Sequence, residues 1–260
     1  MVALLASALV LAGCASSASP AASPSITASP SASPTVAATA KALPTGHYVA
    51  LGDSVPAGTN CDCTPYPELT AAQAQQESTT GVSVANDSVP GYTSTNLLKE
   101  LQSDQAVIDN VTRASVVEVE IGANDVAYNS TCGTTVSCYE SKLPTVQSNL
   151  DAIVKRIHQL ASPSVTVVLI DYWSVWLGGQ YAAAKGQAYV DAAAAMTDRV
   201  NTLIKDTAAR DGSHYVDLRT AFKGPDYSYD ETHYLSSDGD HPNAEGHVRI
   251  AEAVVQELLG

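Results

Sequence analysis

Five short apolar, β-branched stretches, at residues 47–51, 82–85, 116–121, 165–170 and 215–218, alternate with segments of helical periodicity. Strands separated in this way cannot be joined by tight turns, so they must lie parallel with helices crossing between them. Val146, Leu150, Ile153, Val154, Ile157 and Leu160 follow Pro144 at helical spacing and predict an amphipathic crossover. The Ala-rich segment 182–209 predicts a long helix with an interruption. A final helix is expected to begin at Pro242-Asn243 and to bury Val248, Ile250, Ala251, Val254, Val255 and Leu258. The expected fold is a three-layer α/β/α, flavodoxin-like, doubly wound five-stranded parallel sheet. It forms one domain over residues 46–260, without internal repeats.

The segment before it has a different composition. The apolar run 3–12 is too short to span a bilayer and ends in Leu11-Ala12-Gly13-Cys14, the pattern of a secretory signal over residues 1–13. It resembles a bacterial lipoprotein signal, although no Lys or Arg follows Met1. The resemblance implies lipidation of Cys14, location at the extracellular face of the cell membrane or outside the cell, and membrane association through the lipid alone. Residues 14–45 are rich in Ala, Ser, Pro and Thr, carry only Lys41 as a charge, and cannot bury a core. They are expected to be a tether.

The chain carries a net charge of -14, and every acidic residue lies in the domain. With Lys41 set aside, 12 basic residues face 27 acidic ones there, a balance that argues against a nucleic-acid partner and against adhesion to an anionic membrane surface. Besides Cys14 there are four cysteines, an even number, and disulfides are expected. Pairing Cys132 with Cys138 closes a short loop and leaves Cys61 with Cys63 in a tight ring; crossed pairings remain open. A metal at Cys61-Asp62-Cys63 is discounted, because neither a second Cys-X-Cys nor a suitably spaced histidine accompanies it.

In an open parallel sheet the ligand site lies beyond the carboxyl ends of the strands. The segments there are Gly52-Asp53-Ser54-Val55-Pro56-Ala57-Gly58, Asn86-Asp87-Ser88-Val89-Pro90-Gly91-Tyr92 and Gly122-Ala123-Asn124-Asp125. Further on comes Asp238-Gly239-Asp240-His241-Pro242. His241 with Asp238 three residues before it is a base with an orienting acid; Asp240 is the competing partner but tends to point away from the ring. Ser54 is placed to act as a nucleophile. Its own N–H, the Gly91 N–H and the Asn124 amide are three donors suited to an oxyanion.

Other residues are read more plainly. Tyr172, Trp173 and Trp176 follow the fourth strand and either line a substrate pocket or cover the core. Asp53 and Asp125 are expected to bond nearby backbone N–H groups. His233 and His247 are expected at the surface, whereas His47, His158 and His214 lie in or beside core elements. The acidic residues Asp226, Asp230, Glu231, Asp238 and Asp240 lack the alternating ligand pattern of a calcium loop, so no metal is expected.

Together the four blocks resemble, in order and across essentially the whole domain, those of the SGNH hydrolases, the GDSL-type esterases and lipases. Val55 stands where the motif name has leucine. The resemblance implies Ser54 as nucleophile, His241 as base, Asp238 as its partner, and Gly91 and Asn124 as oxyanion donors. It further implies a serine hydrolase of carboxylic esters, an esterase, lipase or carbohydrate O-acetyl esterase, that needs no cofactor. The substrate would be a small-molecule or glycan ester and the protein a monomer. An acyltransferase with the same residues, or a catalytically silent envelope binding module, are the alternatives.

Overall fold

A computed structural model describes residues 41–260. The signal segment 1–13, the lipidation site Cys14 and the tether as far as residue 40 lie outside the described residues. Five strands, β1 His47–Gly52, β2 Ser83–Asn86, β3 Val116–Glu120, β4 Thr166–Ile170 and β5 His214–Val216, form one sheet. The order is β2-β1-β3-β4-β5 and every pairing is parallel. The chain winds one way from β1 to β2 and the other way from β3 onward, which opens a crevice above β1 and β3. Gly52 is level with Glu120 there, so the loops after β1 and β3, carrying Ser54 and Asn124, leave the sheet side by side.

The helices are α1 Tyr66–Glu77, α2 Ser94–Ser103, α3 Gln105–Thr112, α4 Val136–Glu140, α5 Leu143–Leu160, α6 Gly179–Ala183, α7 Gln187–Asp211, α8 Leu218–Lys223 and α9 Ala244–Leu259. One layer packs α1 and α8 on α9, and the other packs α2, α3 and α7 on α5. Local chemistry sets several starts: Thr93 and Asn96 form a capping box on α2, Asp104 accepts from the Ala106 and Val107 N–H groups, and Asn243 accepts from Gly246 N–H. On α5 the stripe Val146, Leu150, Ile153, Val154 and Ile157 is fully buried. Each such side chain contributes about 1.5–3 kcal/mol of apolar burial. The Ala-rich segment is broken near its start, with α6 and α7 separated at Gly186 and α7 ended by left-handed Gly212.

Two expectations for α9 are corrected. Val248 is 45% exposed, whereas His247 is fully buried. The buried stripe runs His247, Ile250, Ala251, Val254, Val255, Leu258, and Val248 falls to its solvent side. Leu43 is also buried in the core, and the Pro44 carbonyl accepts the Tyr48 hydroxyl at 2.8 Å, so ordered packing starts before Gly46. Among the described residues no helix is long and apolar enough to cross a membrane.

Candidate active site

The loop after β1 is a tight turn tied to the neighbouring strand. Asp53 N–H donates to the Glu120 carbonyl (3.2 Å), and Thr59 N–H returns to the Ser54 carbonyl (3.0 Å). The Asp53 carboxyl is buried beneath the turn, accepting from Val55 N–H at 3.1 Å and from the Tyr172 hydroxyl at 2.6 Å. Desolvation, opposed by these two bonds and reinforced by nearby Asp240, raises it to about 6. The backbone-bonding role expected of Asp53 is thus present, with a buried tyrosine added. Asp125 does the same elsewhere, accepting Ser94 N–H and Ser94 Oγ, both at 2.8 Å, and fastening the turn after β3 to α2.

Asp238 and His241 approach each other within the turn before α9. His241 Nδ1 lies 2.8 Å from Asp238 Oδ2, while Asp238 Oδ1 accepts from Asp240 N–H (3.0 Å) and His241 N–H (3.1 Å). With Nδ1–H given to the carboxylate, the other ring nitrogen, Nε2, is left as a proton acceptor. Desolvation works against ionisation of Asp238, but the bonds from Asp240 N–H, the His241 ring, Asn60 Nδ2 and His241 N–H prevail and hold it down to about 2. Gly239 makes the turn possible: its φ is +73°, and a Cβ there would lie 2.3 Å from the Tyr181 ring. The turn is then clamped to the helix start, because Ser236 N–H donates to the His241 carbonyl (2.8 Å) and Asn243 Nδ2 donates to the His233 and Leu235 carbonyls.

Asn124 sits in a 3-10 turn, Ala123–Val126, directly after β3. Its Nδ2 donates to the Tyr92 carbonyl at 3.0 Å, which places the amide one residue from Gly91. Gly91 has a φ of +82° with open space where a Cβ would stand, so the backbone conformation rather than crowding asks for glycine.

A cavity of about 310 Å³ opens at this sheet edge, lined by Ser54, Asn124, Asp240, Tyr128, Trp176 and Tyr189 among others. Gly91, Asp238 and His241 are not lining residues, but Asp240, which stands between the acid and the histidine in sequence, is. Tyr172, Trp173 and Trp176 line the cavity and are also core. Tyr172 holds Asp53, Trp173 stacks on Phe222 at 4.6 Å, and Trp176 gives its N–H to the Val126 carbonyl at 2.8 Å. Tyr128 meets Trp176 edge-on at 5.2 Å and Tyr189 at 5.1 Å. Neither tyrosine was legible as pocket-forming in the sequence, since each comes from a segment without a motif.

The cysteines pair as Cys61–Cys63 and Cys132–Cys138, with Cα–Cα distances of 5.1 and 5.7 Å, and the crossed pairings fall away. A histidine does accompany Cys61-Asp62-Cys63 in space: a ring nitrogen of His247 and both sulfurs lie within 4.8 Å of one another. Bonded to each other, the sulfurs offer no thiolate to a metal. His247 is a buried, neutral residue rather than a surface one. Its Nδ1 accepts Tyr66 N–H at 3.2 Å, and desolvation lowers it to about 4. His233 is exposed, as expected.

Residues 50–249 match the profile of the GDSL-like Lipase/Acylhydrolase family. No curated protein matches the chain. Among solved structures, the lipase Lip_vut3 from a goat rumen metagenome is 18% identical with a TM-score of 0.62, covering 83% of this chain and 99% of its own. A putative GDSL-like lipase from Parabacteroides merdae is 17% identical with a TM-score of 0.64, covering 85% and 99%. A catalytic mutant of Axe2, an acetylxylan esterase from Geobacillus stearothermophilus, is 19% identical with a TM-score of 0.61, covering 84% and 96%.

Proposed function

Since the chain belongs to the GDSL-like lipase/acylhydrolase family and is a carboxylic ester hydrolase, we propose that it cleaves short-chain esters through an acyl-enzyme on Ser54. The observation that carries this reading is the Asp238–His241 pair, fixed at the start of α9 beside a cavity that holds Ser54 and Asn124. His241 Nε2 takes the proton of Ser54 as Oγ attacks the ester carbonyl, and Asp238 stabilises the imidazolium. The Ser54 and Gly91 N–H groups and the Asn124 amide hold the oxyanion. His241 then protonates the leaving alcohol and draws a proton from the water that hydrolyses the acyl-enzyme.

A cavity of about 310 Å³ suits a short acyl group better than a long chain, and half-exposed Tyr128 at its wall offers a ring-sized face to the alcohol. Acetylated carbohydrate and small acyl esters are therefore the favoured substrates. The signal-like leader and the two disulfides support an extracellular, lipid-anchored enzyme tethered through Cys14.

The test pairs a fluorophosphonate probe with hydrolysis rates against acyl length. Ser54 becomes labelled, and rates peak at two to four carbons; an unlabelled Ser54 would sink the acyl-enzyme. Transfer to an added sugar acceptor instead of release of free acid would make the protein an acyltransferase. Asn124→Ala is expected to lower kcat by about two to three orders of magnitude with a small change in KM, because the amide matters most when charge develops. Steady-state kinetics on p-nitrophenyl acetate check this.

A further inference from the structure

We propose that Asn60 is a positioning residue for the acid–base pair, its side-chain amide fixing the Asp238 carboxylate that orients His241. The inference rests on the triad reading above. Asp238 accepts from four donors, and three belong to its own turn: Asp240 N–H, His241 N–H and His241 Nδ1. The fourth is Asn60 Nδ2, at 2.5 Å from Oδ2, the same oxygen that faces the imidazole ring. Asn60 is thus the contact that ties this oxygen to a different part of the chain.

That part is the nucleophile's own loop. Thr59 N–H bonds the Ser54 carbonyl and Cys61 N–H bonds the Gly58 carbonyl, so a short hydrogen-bonded segment runs from Ser54 to Asn60. The Asn60 backbone carbonyl is engaged as well, by a hydroxyl it shares with the Pro242 carbonyl. Ser236 Oγ, from the acid's side, donates to the Asn60 carbonyl at 3.0 Å, and the Cys61–Cys63 ring follows immediately. Asn60 and Asp62 both adopt left-handed φ, +60° and +47°. Among side-chain-bearing residues Asn and Asp enter this region most readily, and of the two only Asn can donate to a carboxylate. Aspartate at position 60 would instead set a second negative charge against Asp238. Residue type, backbone and partner therefore agree: the amide spans the gap between the nucleophile loop and the acid turn.

The test compares Asn60→Gly, Asn60→Asp, Asp238→Ala and the Asn60→Gly/Asp238→Ala double variant on p-nitrophenyl acetate, with thermal melts alongside. Glycine keeps the left-handed backbone and removes the donor; aspartate keeps size and backbone and replaces the bond with charge repulsion. Both single variants are expected to lose about tenfold to a hundredfold in kcat with KM within about twofold. In the double variant, measured at high enzyme concentration, loss of Asn60 adds nothing to the loss from Asp238→Ala, because its effect passes through that carboxylate. Wild-type kcat in both single variants, or a full multiplicative loss in the double variant, overturns the proposal. Ser54→Ala separates the two layers: an active Ser54→Ala enzyme removes the triad itself, whereas an inactive one beside wild-type Asn60 variants removes only the role of Asn60.

Discussion

Ester turnover is expected to fall by about four to six orders of magnitude when Ser54 is replaced by alanine. On the proposed mechanism the substitution removes the attacking oxygen and leaves the backbone N–H of residue 54, the Gly91 N–H and the Asn124 amide in place, so the residual rate would report oxyanion stabilisation and substrate positioning without a nucleophile. Ser54 is only partly buried at the cavity wall, and the turn around it is held by backbone bonds and by Asp53, so the fold is expected to survive. His241→Ala is expected to cost a similar factor, and the double variant to be no slower than either single one, if base and nucleophile act as a unit. Purified variants assayed on p-nitrophenyl acetate, with inhibitor titration to exclude trace wild-type enzyme, give the comparison. Wild-type turnover by Ser54→Ala would end the acyl-enzyme reading, and independent multiplicative losses would break the link between Ser54 and His241.

Much of the candidate site was legible because its residues stand next to chain punctuation. Ser54, Gly91 and Asn124 each follow a short apolar strand within a few residues, and the parallel sheet gathers strand ends at one edge. Asp238 and His241 are three residues apart, so their contact needs no long-range knowledge. What stayed hidden joins residues far apart in the sequence. Asn60 meets Asp238 across 178 positions and Tyr66 meets His247 across 181, and neither pair carries a local pattern. His247 illustrates a second reason. A histidine on an amphipathic helix reads as polar, yet its position on the buried stripe of α9 and the Tyr66 N–H give it a core role, while apolar Val248 turns outward. The third reason lies in β3. The alternation Val116-Val117-Glu118-Val119-Glu120 suits a strand with one wet face, but helices cover both faces of this sheet, and both glutamates are buried.

Those buried carboxyls set the second large effect: the protein is expected to lose stability as pH rises from 6.5 to 8. Glu118 and Glu120 are driven well above the usual carboxyl range, first by desolvation and then by neighbouring acids, Glu68 for Glu118 and Asp53 for Glu120. Asp171, just after β4, is raised to about 8 by desolvation despite bonds from Tyr215 Oη (2.6 Å) and Leu218 N–H (2.7 Å). A carboxyl raised in this way keeps its proton in the folded protein and has lost it in the unfolded one, so the folded state binds more protons and stability declines with pH. Each group contributes about 1.4 kcal/mol per pH unit between its unfolded and folded values. Asp171 alone therefore accounts for about 1.6 kcal/mol across this window, the slope fading as pH nears its folded value, and Glu118 and Glu120 act in the same direction. Asp53, Asp238 and His247 titrate outside the window. Asp53, raised to about 6, has already ionised; Asp238, held near 2, changes stability only in strong acid; and His247, lowered to about 4, acts in the opposite sense only up to its ordinary value of 6.5. Urea denaturation at pH 6.5 and 8 should show the midpoint falling with pH. Glu118→Gln, which keeps the side chain's shape and removes its titration, should flatten the slope. Glu118 has no hydrogen-bond partner among the described residues, so the exchange breaks no bond. A midpoint that stays level or rises toward pH 8 would mean that these carboxyls are ionised in the folded core, with partners that stabilise the charge.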